Sequence, residues 1–125
     1  MTDKIKLVQG DTRPSLIVNL TDETTGLPIS INGATPRLKI RPLGSATVKS
    51  ILTGVPIPGF LQSDGTVDTS GAYATAGAGG RCAFAWTSES LDTAGDFEAE
   101  VEVTFQDATI QTVYQVLKLK IREQF

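Results

Sequence analysis

Glu98, Glu100 and Glu102 stand at alternate positions, and carboxylates in pairs can serve as general acid and general base. On a strand, that spacing places them side by side on one face rather than opposed across a cleft. Basic residues recur at the same spacing in Arg37/Lys39/Arg41 and Lys118/Lys120/Arg122, which predicts rows of cross-strand ion pairs on a wet surface. If the last hairpin turns around Asp107-Ala108, Glu98 falls close to Lys118. The chain has no histidine, which removes Ser-His-Asp and Cys-His nucleophilic machinery and the commonest zinc ligand.

Other chemical motifs also resolve into structural roles. Cys82 is the single cysteine, so no intramolecular disulfide forms, and its alternation with Phe84 and Trp86 predicts a buried small hydrophobe. Trp86 shares that phase and is expected in the core rather than on a carbohydrate platform. Ser63–Asp68 resembles a calcium loop but lacks the alternating oxygen ligands and the distal glutamate. Gly77-Ala78-Gly79-Gly80 resembles a phosphate cradle, yet it precedes a strand and no Lys-Ser/Thr follows it. Flexibility is the role expected for those glycines. Asn19-Leu20-Thr21 matches a glycosylation acceptor by chance, on a strand. No catalytic, cofactor or metal residue is expected, and the chain does not read as an enzyme.

The elements that position these residues are strands. Lys4–Gln9 alternates and is broken by Gly10-Asp11 and Pro14. Ser15–Thr21 puts Leu16, Val18 and Leu20 on one face, with Ile17, Asn19 and Thr21 on the other. Asp22–Pro28 has turn chemistry, and Asn32-Gly33 is a tight-turn pair. Arg37–Arg41 alternates most cleanly, with Leu38 and Ile40 inward; Ala46–Thr53 is a weaker strand. Residues 81–87 place Cys82, Phe84 and Trp86 inward, and 96–105 do the same for Phe97, Ala99, Val101 and Val103. Ser88–Asp92 has room for one turn of helix. In Ile110–Arg122 the apolar parity changes midway, which predicts a β-bulge near Val116-Leu117. The pattern predicts an all-β, immunoglobulin-like antiparallel β-sandwich of about seven to nine strands in a single domain, 1–125.

Residues 54–80 interrupt this regularity with seven glycines, two prolines and a run of small residues. They are expected to form one long Gly/Ala-rich loop, with short strand pieces near Phe60-Leu61 or Thr66-Val67. Val55, Ile57, Phe60 and Leu61 are apolar within it, and with Tyr73 they are the expected partner-contact residues. A lid folded back on the sandwich is the alternative for Phe60 and Leu61.

The chain has 125 residues, 40% apolar and 20% charged, with a net charge of −3. That balance suits one globular domain and argues against binding nucleic acid by neutralising phosphates. No stretch approaches the roughly 20 apolar residues that cross a bilayer, and no signal-like h-region is visible.

Several short segments are familiar together: Gly10-Asp11-Thr12-Arg13-Pro14, Leu27 through Thr35, and Asp92-Thr93-Ala94-Gly95-Asp96-Phe97-Glu98-Ala99-Glu100. In order and spacing they resemble the N-terminal domain family of phage baseplate upper proteins, β-sandwich modules of tailed-phage virions. The resemblance covers residues 4–53 and 81–122. It implies a structural virion protein in the tail or baseplate, partnered by other virion structural proteins and forming a symmetric homo-oligomer. The family's matching residues build the fold, so no site residues are carried across. Two departures are the long 54–80 connection and an end at Phe125, where family members often continue into coiled-coil and receptor-binding regions. They leave a capsid decoration protein on the major capsid lattice, often a trimer, as the alternative. A host-surface carbohydrate-binding module ranks third, because most of the eight Phe, Trp and Tyr residues are in core phase. No cofactor, nucleic acid or membrane partner is implied, and the expected location is the virion.

Overall fold

The computed structural model describes residues 4–22, 24–113 and 116–125. In chain order the strands are β1 (Ile5–Val8), β2 (Leu16–Asn19), β3 (Thr35–Pro42), β4 (Ser50–Thr53), β5 (Val55–Pro56), β6 (Phe60–Leu61), β7 (Val67–Asp68), β8 (Arg81–Phe84), β9 (Gly95–Thr104), β10 (Ile110–Thr112) and β11 (Leu117–Arg122). The larger sheet runs β1-β11-β9-β3-β4, with β10 also pairing β9. A second sheet is β2-β8-β5, and β6-β7 form a two-stranded arm. The fold is all-β and sandwich-like.

Period-two alternation becomes burial as expected. Leu38 and Ile40 of β3, Val101 and Val103 of β9, and Leu119 of β11 meet Cys82 and Phe84 of β8 in one cluster. Trp86, Leu20, Ile31 and Leu91 complete it. Burying each large aliphatic or aromatic side chain stabilises the fold by about 1.5–3 kcal/mol. The turns follow their chemistry too. Asp22 Oδ1 accepts from Thr24 N at 2.8 Å, and Ala34 N donates to Ile31 O at 2.9 Å across Asn32-Gly33. Ser90 N donates to Thr87 O at 3.1 Å, so 88–91 form a hydrogen-bonded turn instead of the turn of helix for which Ser88–Asp92 had room.

Three features depart from the sequence expectations. First, β1 pairs β11 in parallel, so the larger sheet is mixed rather than wholly antiparallel. Ile5 and Leu7 pack beside the core there and cover an edge that β11 would otherwise leave open. Second, the ladder of the last strand does break where the bulge was predicted, but by two residues. Thr112 faces Glu102 and Leu117 faces Ala99, so four residues on this strand oppose two on β9. An even excess keeps the odd-numbered residues inward on both sides of the break, and Ile110 stays exposed. Tyr114 and Gln115, on which part of that expectation fell, lie outside the described residues.

Third, residues 54–80 are built into the fold. Gly54 alone carries the chain from β4 in one sheet to β5 in the other, and a β-carbon there would lie 2.6 Å from the Phe84 ring. Strands β6 and β7 and a 3₁₀ turn (Gly71–Ala74) follow. Gly77, Gly79 and Gly80, expected in an open loop, are buried. Gly80 O accepts from Leu20 N at 2.7 Å and Gly77 O from Ile31 N at 2.9 Å. These glycines are small because backbone from residues 20–32 and 59–60 lies directly against them.

Candidate interaction surface

Two of the three alternating glutamates of β9, Glu98 and Glu102, are neutralised by cations of the neighbouring strands. β9 lies between β3 and β11, and its register sets Glu98 directly opposite both Arg41 and Lys118. Arg41 Nε lies 2.7 Å from Glu98 Oε1, Lys118 Nζ 3.4 Å from Glu98 Oε2, and Lys39 Nζ 2.7 Å from Glu102 Oε2. The Arg41 hydrogen bond, reinforced by Lys118, holds the Glu98 carboxyl below its ordinary value despite partial desolvation. A carboxylate held ionised by two cations is a poor general acid. A depression of about 80 Å³ opens among Lys39, Arg41, Val48, Glu98, Glu100 and Val116, with charges of both signs on its walls.

The remaining chemical motifs are occupied locally. Cys82 is fully buried, and desolvation pushes its thiol up to about 12, so it stays protonated and inert at neutral pH. Asp64 Oδ1 accepts from the Thr66 hydroxyl at 2.6 Å and its N–H at 3.0 Å. Asp68 Oδ1 binds Ser70 in the same way, and these bonds lower both carboxyls. Among the described residues no group of three metal-ligating side chains is found, and no helix is long and apolar enough to cross a membrane.

A different face carries an apolar surface. Register places Ile17 of β2 and Val55 of β5 on either side of Ala83 of β8, on the outward parity of the second sheet. Ile17 is 48% exposed and Val55 63% exposed. The adjacent row holds Asn19, Arg81 and Ile57; Ile57 N donates to Arg81 O at 3.0 Å. In the arm, Leu61 pairs with Val67 and both are exposed. A β-carbon on Gly59 would meet Val67 Cγ1 at 2.6 Å and Arg81 Nη1 at 3.1 Å, so arm and sheet join at that point.

Of the residues expected to contact a partner, Val55, Ile57 and Leu61 belong to this surface. Phe60 and Tyr73 stack on each other, with ring centroids 4.9 Å apart and planes at 21°, and both are half-buried. They brace the base of the arm. Ile17, Ala83 and Val67 were missed. An isoleucine on the wet parity of β2 was the available signal, read only as an outward position. No protein-family model, curated protein or solved structure matches this chain.

Proposed function

We propose that this protein is a structural module of a tailed-phage particle, seated in the tail or baseplate and acting through protein–protein contacts. The observation that supports the contact role is the pair Ile17 and Val55, exposed on either side of half-buried Ala83 across β2-β8-β5, with exposed Leu61 and Val67 on the adjoining arm. Single exposed aliphatics are ordinary, whereas a contiguous set on a sheet face marks an interaction site. The tail location rests on the resemblance carried by Gly10–Pro14, Leu27–Thr35 and Asp92–Glu100. A symmetric particle repeats each contact many times, so a modest surface on each copy gives high avidity.

Mass spectrometry of purified particles, with heads separated from tails, tests the proposal. Recovery with the tails at tens of copies supports it. Recovery with the heads at hundreds of copies makes the protein a capsid decoration module instead, and absence from both overturns the particle assignment.

A further inference from the structure

We infer that the outer face of the β2-β8-β5 sheet binds a partner protein that inserts an Asp or Glu carboxylate, flanked by aliphatic side chains, against Arg81. The inference rests on the protein-contact reading above and gives that contact its chemistry.

Arg81 lies on the middle strand of the sheet, in the row Asn19–Arg81–Ile57. Ile17, Ala83 and Val55 form the row beside it, and Val67 approaches from the arm. Arg81 Nε donates to Asn19 Oδ1 at 3.1 Å, and Nη1 makes only a long 3.5 Å contact with Pro58 O. A guanidinium has further N–H donors in its planar fork, and these bonds leave some unused. Among the described residues no carboxylate lies within ion-pair distance of Arg81, whereas Arg41 and Lys39 hold theirs at 2.7 Å.

A cation flanked by aliphatics is an arrangement found at the centres of protein interfaces, where arginine is enriched and neighbouring contacts exclude water. Covering the face with purely apolar atoms would desolvate the guanidinium without compensation, which is costly. A carboxylate answers the fork with two parallel hydrogen bonds. A twofold dimer centred on this face would set Arg81 against its own copy, so like charge disfavours a second copy there. The net charge of −3 likewise disfavours an anionic membrane or nucleic acid as the occupant.

The test is a photo-crosslinking amino acid placed at Ile17 or Val55, with Ile51 on the far face of the larger sheet as control. The full chain is irradiated in the cells that naturally make it, and the adducts are sequenced by mass spectrometry. Adducts are expected from 17 and 55, to a peptide of another protein carrying Asp or Glu among aliphatic residues. Arg81→Glu should lower their yield at least tenfold, and changing the partner's acid to Arg should restore it. Arg81→Gln, which retains a donor for Asn19, gives the same loss if the glutamate variant does not fold. An adduct to this chain, to lipid or to nucleic acid overturns the inference. So does a peptide without a carboxylate, a yield indifferent to Arg81, or no adduct from 17 and 55. An acidic partner from outside any particle would leave the inference standing and remove the phage reading. A virion partner whose capture ignores Arg81 would do the reverse.

Discussion

At Gly79 a β-carbon would run into the carbonyl of Gly59, although the backbone there needs no left-handed conformation. Gly65 is the opposite case, with φ +88° and nothing within 4 Å. Gly79→Ala is therefore expected to lose about 1–3 kcal/mol through overpacking. Gly65→Ala should lose about 1 kcal/mol from conformation alone. Urea unfolding measures both, and equal losses would refute the crowding at 79. Glu98 supplies a second test. Its folded carboxyl is lowered by Arg41 and then Lys118, while the unfolded value stays near 4.5. The stability it contributes is complete above that value and disappears as pH falls through the lowered folded one. Glu98→Gln should melt lower at neutral pH and show a shallower acid limb, whereas parallel pH profiles for parent and variant would contradict the pairing.

The last strand shows how an element absorbs an irregularity. Val113 N still donates to Val101 O at 2.9 Å, and Leu117 already faces Ala99, so the two-residue excess lies between 113 and 117. Deleting Tyr114 and Gln115 together should join β10 and β11 into one continuous ladder without changing which residues face the core. The shortened protein is expected to melt cooperatively near the parent temperature, and loss of a cooperative transition would show that the excess is required. The conflict of parity was visible in the residues, because alternation is local. Its resolution was not visible. One extra residue would have turned Ile110 inward and two leave it exposed, and only the partner strand counts them.

Across the whole molecule, residues 54–80 act as a connector tied to both sheets rather than as an open loop. Gly54 N donates to Pro36 O of the larger sheet at 2.8 Å and Ile57 N to Arg81 O of the second at 3.0 Å, while Gly59 N to Tyr73 O and Gly77 N to Ile57 O, both 2.9 Å, close the segment on itself. Hydrogen exchange on the isolated protein should therefore find the amides of Ile57, Gly59 and Gly77 protected, with those of the exposed tip residues Ser63 and Asp64 exchanging fast. Rapid exchange throughout would mean that a partner orders the segment.

The sequence by itself determined which residues of β3, β8 and β9 turn inward, from Leu38 and Ile40 to the alternate residues Phe97, Ala99, Val101 and Val103. A buried face imposes a period of two that needs no knowledge of the neighbour. It also determined the turns, because Asp22, Gly33 and Asp107 act on backbone within a few residues. Tertiary structure alone decided which strands meet. The parallel β1–β11 edge, the one-residue change of sheet at Gly54 and the crowded Gly79 each depend on backbone distant in sequence. The candidate surface depends on it most. Residues 17, 55 and 83 form one row only because β2 and β5 take opposite sides of β8, a register that none of the three segments encodes alone.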